Sequence, residues 1–462
     1  MRLRLADPEV LMPGETIRPD GGQTGRADLE ARPSRLAMAV RAGTIALSCA
    51  VFLLPSAVAA TVLRIVRGRT AAAGFFYRRL VRQVERLGPA FVKFGQIIGT
   101  RRDILPPLLC DELGQLHDRV RPMTRRQASA ALADVYGPEL HRIFAEVEPE
   151  PVASGSVAGV YRATLTDGRL VAVKLRRPDI RRRMTLDLAI LHGLGKFAER
   201  LPPARGVPVG ELTGFICTAI LGQLDFAAER DNLATLVRNF DDAEYVWVPE
   251  PVTELCRPQC LVMEYIPDLA AAPVSTISAA RRPQLALRML SAVYQMLFLD
   301  GFVHCDLHPG NVYLRGPRVV ILDAGFSVRL NPTVRRQFAE FFLGLALGRG
   351  PRCGEVVVES AVRLAPDADV AGFVASVAEL VHRNSGVPAK DFELMRFGTD
   401  LFTLQRDYGL YAASEFVFPL MSLLVIEHTV RELDPEVDFQ AAARPMLLKA
   451  AAATAHLSRP SA

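Results

Sequence analysis

The chain has 462 residues, half of them hydrophobic, with 55 Lys and Arg against 50 Asp and Glu. At roughly 150 residues per domain this length suits one large two-lobed fold plus a tail, of ordinary globular composition rather than disordered or disulfide-dense. A surplus of five charges is too thin to argue for nucleic acid as a partner, while seven scattered cysteines and no signal-peptide layout at the amino terminus point to a reducing cytosolic compartment.

Residues 1–33 mix charge with Pro and Gly (Asp20-Gly21-Gly22, Pro33) and show no apolar period, which reads as a tail without fixed structure. Residues 34–70 form a hydrophobic region. From Gly43 to Leu63 there are 21 residues without a charge, bracketed by Arg41 and Arg64, and such a run is long enough to cross about 30 Å of hydrocarbon as a helix. A membrane-spanning or membrane-embedded segment is expected; Pro55, Ser48 and Ser56 keep a buried or surface-lying helix open. Arg64, Arg67, Arg69, Arg78 and Arg79 would hold the following domain on the cytoplasmic side of an inner or plasma membrane.

Residues 71–147 carry apolar positions at three- and four-residue spacing, broken at Pro106-Pro107, and predict a helical extension. Residues 148–266 predict a strand-rich lobe with a helical insert. Period two appears at Val160, Tyr161, Ala163 and Leu165 and again at Val171 and Val173, with Asp167-Gly168 in the hairpin position. Helical periodicity runs from Met184 to about Phe240, and short strands follow near Val246 and from Leu261 to Tyr265. Residues 267–450 read as a mainly helical lobe, loop-rich between 302 and 330, and 451–462 as a second tail. Arg176, Arg177, Arg181, Arg182 and Arg183 read as a solvated helix face. Cys256 and Cys260 have no second Cys or His pair to complete a metal site.

The chemistry is carried by an ordered set of motifs. Val152, Ala153, Ser154, Gly155, Ser156, Val157, Ala158 and, past Gly159, Val160 form a run of small residues between two strands, where backbone amides can approach phosphate. Lys174 follows Val171-Ala172-Val173 on the next strand, the arrangement that aims an ammonium at the α- and β-phosphates of a nucleotide. Glu229, in Asp225-Phe226-Ala227-Ala228-Glu229, is the candidate carboxylate that holds this lysine, and Glu264 and Tyr265 complete the nucleotide-contacting set. In His304-Cys305-Asp306-Leu307-His308-Pro309-Gly310-Asn311, Asp306 and Asn311 stand five apart, as in a loop supplying a base and a metal ligand. Asp323-Ala324-Gly325 follows the strand Val319 to Leu322. Asp323 would hold Mg²⁺ between the β- and γ-phosphates of ATP, with Asn311 supporting it through its amide oxygen. His304 and His308 read as hydrogen-bonding backbone, and Cys305 as buried filler. No Ala-Pro-Glu motif follows Gly325; Asn331-Pro332 opens a helix at once, leaving almost no room for a peptide platform and favouring water, a small molecule or a lipid as acceptor.

These residues resemble the UbiB-type (aarF-domain, ABC1-like) atypical kinases. The most specific match is Gly88-Pro89-Ala90-Phe91-Val92-Lys93-Phe94-Gly95-Gln96, which carries the family's KxGQ motif; Asp103-Ile104-Leu105-Pro106-Pro107, Leu116-His117-Asp118-Arg119-Val120 and Leu433-Asp434-Pro435 are similar to further landmarks, so the likeness covers about residues 75–448. It implies an α+β, protein kinase-like two-lobed fold with a helical KxGQ extension, in which Lys93, Gly95 and Gln96 lie over the active site and block a peptide groove. It also implies Mg²⁺ and ATP, a role in ubiquinone or other isoprenoid-quinone metabolism, and a membrane lipid, a quinone precursor or quinone-biosynthesis enzymes as partners. Three positions depart from the family. Gly155 replaces the middle alanine of an alanine-rich loop, leaving ATP or ADP preference open. Gln223-Leu224-Asp225 stands for Glu-x-Asp, so Gln223 is a neutral amide where an acidic partner for Lys93 is expected. Ala324 replaces the aromatic of Asp-Phe-Gly. Gln223 and Ala324 favour the alternative of a noncatalytic nucleotide-binding scaffold, and Gly155 alone favours a protein kinase; no oligomeric state follows from the sequence.

Overall fold

The computed structural model describes residues 34–102, 104–116, 121–201, 207–269, 274–385, 387 and 391–457. The tail expected at 1–33, Asp103 and the landmark residues 117–120 lie outside the described residues. The first helix, α1 (Arg35–Arg67), is long and apolar enough to cross a membrane by length and composition, and is mostly exposed. Gly68, at φ +85°, takes the left-handed conformation that L side chains resist, ending α1. The chain then doubles back as α2 (Arg69–Leu87), whose Gln83 donates to Ser48 Oγ of α1 at 2.8 Å.

A second left-handed glycine, Gly88 (φ +114°), leads into α3 (Pro89–Ile98), the helix of the KxGQ motif, which starts on proline. With α4 (Pro107–Leu113) it forms a small separate core in which Val81, Val92, Leu113 and Leu116 meet. Next comes α5 (Arg125–Tyr136), opened by a capping box between Thr124 and Gln127, and the single turn α6 (Leu140–Ile143). The extension is pinned to both lobes: Tyr136 donates to Leu255 O at 2.7 Å, and Arg101, fully buried, to Ala412 O at 3.3 Å.

The sheet begins earlier than expected. β1 (Phe144–Val147), read in the sequence as the end of the helical extension, is a strand paired antiparallel with β3; four residues with apolar ends satisfy a helical spacing as well as a strand. β2 (Ala153–Ser154), β3 (Ala158–Leu165) and β4 (Leu170–Arg176) follow, β3 and β4 joined through Asp167-Gly168 with Gly168 at φ +89°. After helices α7 (Ile180–Ala198), α8 (Val209–Gly222) and α9 (Phe226–Asn239) come β5 (Val246–Trp247) and β6 (Cys260–Glu264), which pairs with β4. The order β1-β3-β4-β6, with β2 beside β3, makes β4 central, and five of its seven residues are buried.

The second lobe is built on α10 (Arg282–Tyr294), which ends in a wide turn at Gly301 (φ +62°). The loop-rich segment contains four strands of three or four residues, too short to show a period: β7 (Phe302–His304), β8 (Val312–Arg315), β9 (Arg318–Ile321) and β10 (Ser327–Arg329). β5 pairs parallel with β9, and β7 antiparallel with β10. The rest is α11 (Pro332–Ala346), capped by Asn331 as the sequence indicates, α12 (Gly350–Glu359), β11 (Ala361–Leu364), α13 (Val370–Asn384), α14 (Leu394–Asp407), β12 (Leu410–Ala412), α15 (Ser414–Leu433) and α16 (Phe439–Leu457). The last helix thus enters the segment expected as a tail. One continuous apolar core joins sheet and helices, giving the α+β arrangement of a small antiparallel lobe on a larger helical one.

The contact of α3 with α4 is set by glycine: a Cβ at Gly99 would lie 2.8 Å from Leu113 Cβ and 2.9 Å from Gly95 O. Gly99→Ala is therefore expected to cost about 1–3 kcal/mol through overpacking, read as a lower unfolding temperature, whereas Gly43→Ala, with open space around its Cβ position, should show no loss.

Candidate functional site

The site is organised by one buried ammonium. Lys174 sits on β4, opposite Val160 of β3 and Leu261 of β6. Its Nζ lies 2.8 and 2.9 Å from the two Glu229 oxygens and 2.9 Å from Asp323 Oδ2. Glu229 is fully buried in the first turn of α9. That helix is started by Asp225, whose carboxylate accepts from the backbone N–H of Ala227 at 3.0 Å and of Ala228 at 3.3 Å. Burial raises the Glu229 carboxyl to about 7 even though Lys174 pulls it down. Burial opposes the charge of Lys174 as well, but Asp323 and Glu229 outweigh it and hold the ammonium above its ordinary value. For Asp323, burial is again outweighed, by Lys174 and Lys93, and its carboxyl is held well below the usual range.

The loop that carries Asp306 is fixed by histidines. His304 Nδ1 accepts the Asp306 N–H at 3.1 Å, so Nε2 carries the proton and donates to Leu322 O at 3.0 Å. The imidazole is neutral, in keeping with the downward effect of burial on its pKa. Ser422 donates to His304 O at 2.6 Å. His308 Nδ1 accepts the Gly310 N–H at 2.9 Å, and its Nε2 lies 3.8 Å from Asp306 Oδ2. Both histidines thus bond backbone, as read from the sequence. Burial pushes the Cys305 thiol well above its ordinary value, which suits filler rather than a reactive group. Asn311 uses its Nδ2 to bond Asp306 O at 2.9 Å, leaving its amide oxygen for a ligand.

Asp323 adopts φ +55°, an uncommon backbone for a residue with a side chain. The adjoining Ala324 is fully buried and its carbonyl accepts from Asn232 Nδ2 at 2.9 Å and Ser327 Oγ at 3.0 Å, so the turn is held through its backbone. A Cβ at Gly325 would stand 3.1 Å from Asp323 Oδ1 and 3.6 Å from Gln223 Cγ, so the glycine keeps this space clear.

All the candidate residues named from the sequence line a single cavity of about 980 Å³, except Gly95 and Asp225. Gly95 instead provides the close packing of α3 on Leu116, Val84 and Leu113, and Asp225 is the cap of α9. Gln96 Nε2 donates to Leu116 O at 3.1 Å. Lys93, for which Gln223 was the expected partner, acts electrostatically on Asp323. Glu264 accepts from Trp247 Nε1 at 3.0 Å.

The small-residue loop closes on itself, with the Gly155 N–H donating to Ala158 O at 2.9 Å. It is buttressed by Arg177, which donates to Gly155 O and Ser154 Oγ, both at 2.9 Å. The sequence reading placed Arg177 on a solvated face. Its position three residues beyond Lys174 is the signal that was available. Asn232, Ser422 and Trp247 were also missed, because each acts on a partner distant in sequence.

The donors fit a hard cation. Asp323, 45% exposed, and the free Asn311 oxygen both face the cavity, and carboxylate and amide oxygens are Mg²⁺ ligands. Among the described residues no group of three or more His, Cys, Asp or Glu gathers to hold a metal, so a cation here would complete its shell with phosphate and water.

Residues 115–356 match a family described as the ABC1 atypical kinase-like domain. The chain is 32% identical to a probable protein kinase UbiB of Pseudomonas putida over 377 residues, 80% of this chain and 70% of that protein. It is 31% identical to a probable protein kinase UbiB of Aeromonas hydrophila over 401 residues, 82% and 73% of the two chains. The structure of Rv3197 with erythromycin from Mycobacterium tuberculosis superposes with a TM-score of 0.56 at 19% identity, covering 76% of this chain and 90% of that one, a likeness of fold.

The buried pair makes its own test. Glu229→Leu strips Lys174 of its two-oxygen partner and should cost about 3–5 kcal/mol in denaturant unfolding. Lys174→Met/Glu229→Leu should be markedly more stable than that single variant, because the remaining Asp323 is partly exposed; additive losses would contradict the electrostatic account.

Proposed function

The chain belongs to the ABC1 atypical kinase-like family, and on that premise we propose that it binds Mg-ATP and transfers its γ-phosphoryl group to water or a small acceptor at a membrane. The observation that carries this reading is Lys174 held between Glu229 and Asp323 in the cavity that also contains Asp306 and Asn311. Lys174 orients the α- and β-phosphates, and Glu229 keeps its ammonium aimed. The backbone of residues 153–158, braced by Arg177, lies along the phosphates. Asp323 and the Asn311 amide oxygen would hold the cation, which would supply positive charge against the phosphates. Asp306, fixed by His304 and Asn311, is the group placed to accept a proton from the attacking oxygen.

The acceptor is small. Lys93 and Gln96 of α3 form one wall of the cavity, and after Gly325 the chain forms only β10 before Asn331 caps α11, which leaves no platform for a peptide. The family resemblance supports a quinone precursor or lipid as the acceptor or effector and a role in ubiquinone or other isoprenoid-quinone biosynthesis, alongside other enzymes of that process. The long exposed apolar helix α1 supports a place at the membrane, with the kinase-like lobes on the cytoplasmic side.

Phosphate release from Mg-ATP by the purified chain, with and without vesicles and a quinone-precursor phenol, tests the reading. Asp323→Asn is expected to lower turnover by about 100-fold or more with the fold retained. Turnover unchanged in that variant would overturn the proposal, and tight nucleotide binding without turnover in the wild type would establish the noncatalytic scaffold that Gln223 and Ala324 favour.

A further inference from the structure

The α1–α2 hairpin carries a conflict that a helix crossing the bilayer cannot resolve. Phe52 lies at the middle of the uncharged run of α1, and the guanidinium carbons of Arg79 and Arg86 of α2 sit 4.7 and 4.0 Å from the centre of its ring. Arg79 Nε also donates to Ser56 Oγ at 3.2 Å, and buried Gln83 to Ser48 Oγ at 2.8 Å. Were α1 to cross, these arginines would be carried to the centre of the hydrocarbon, where charged side chains are strongly disfavoured. The far side of α2 is not open to lipid either: Val81 is packed with Val92 and Leu113, and a Cβ at Gly74 would lie 3.8 Å from Leu108. At its amino-terminal end α1 is tied to the body, where Arg41 makes a two-contact ion pair with Asp187 at 2.7 and 2.9 Å and donates to Leu87 O.

What α1 offers outward is one continuous apolar stripe. Leu47, Val51, Leu54, Val58, Val62 and Ile65, at three- and four-residue spacing, are each more than half exposed. The hairpin is also where the chain keeps its positive charge: residues 35–87 hold nine arginines and one acid, Glu85, a surplus of eight in a chain whose total surplus is five. An apolar stripe flanked by arginines is the signature of a helix that lies in the headgroup region of an anionic membrane.

We propose that the α1–α2 hairpin is an interfacial anchor that lies along an anionic lipid surface, its apolar stripe inserted, and does not pass through it. This refines the membrane location contained in the proposed function, and predicts that both ends of the chain stay on one side of the membrane.

The full chain, with different epitope tags at its two ends, is expressed in a Gram-negative bacterium. It is expected to pellet with membranes, and protease added outside spheroplasts should remove neither tag until the cells are lysed. Leu47→Asp/Leu54→Asp/Val58→Asp should lower the membrane-bound to soluble ratio about tenfold or more. Arg64→Glu/Arg67→Glu/Arg69→Glu, at exposed positions that do not touch the core, should lose the preference of the purified chain for phosphatidylcholine vesicles containing phosphatidylglycerol over those without it. Mg-ATP binding should be unchanged in both variants. Digestion of the amino-terminal tag alone from outside intact spheroplasts would overturn the proposal by showing a crossing helix. Unchanged pelleting of the apolar-stripe variant would overturn it in favour of a second copy or residues 1–33 covering the stripe. Lack of ATP binding in the wild type would count against the proposed catalytic function and leave the hairpin result standing.

Discussion

One ammonium shared by two carboxylates sets the architecture of the site. Lys174, Glu229 and Asp323 come from a central strand, a helix of the insert and a loop of the other lobe, and they meet within hydrogen-bonding distance inside the protein. Burying a charge is tolerable only when partners surround it, so each element must be in place for the others to be. β4 supplies the lysine from between β3 and β6, Asp225 starts the helix that delivers Glu229, and Asp323 accepts a left-handed backbone to reach in. Lys93 adds to the effect of Lys174 in holding the Asp323 carboxyl low, and a divalent cation bound there would act in the same direction.

The same constraint explains how much of the site was legible in the sequence. Lys174, Asp306, Asn311 and Asp323 belong to local patterns in which spacing along a strand or loop fixes direction, and the structure brings all four to one cavity. Glu229 was read as the helical carboxylate that Lys174 needs; that it follows an N-cap at Asp225 is seen in the structure. The residues that escaped notice bond to backbone groups that are far away in the chain: Asn232 to the Ala324 carbonyl, Ser422 to the His304 carbonyl, Arg177 to the Gly155 carbonyl. A carbonyl has no sequence signature, so nothing marks its partner in advance. Of the four strands between 302 and 330, β9 was legible as the apolar run before Asp323, and β7, β8 and β10 were hidden because three or four residues give at most two alternations. β1 was misread because Phe144 and Val147 are three apart, which satisfies a helix as readily as a strand.

Gly95 and Asp225 show a different limit. Both were read as members of the site, and both serve it one step removed: Gly95 lets α3 approach Leu116 and Leu113, and Asp225 orders the helix that bears Glu229. A motif records which residues a function needs without saying whether they touch the ligand or position something that does. Only the distances separate the two roles.

The extension can be understood in these terms. Lys93 and Gln96 face the cavity from α3, yet α3 belongs to neither lobe; it is reached through two left-handed glycines, Gly68 and Gly88, from a hairpin that lies outside the kinase-like body. The small core of Val81, Val92, Leu113 and Leu116 ties α2, α3 and α4 to one another, while Ala90, Phe91 and Ile97 of α3 pack into the main core. Arg101, buried immediately after α3, bonds the second lobe, and Tyr136 bonds the first. The wall of the cavity that carries Lys93 and Gln96 is therefore positioned by packing against a hairpin on one side and by hydrogen bonds to both lobes on the other.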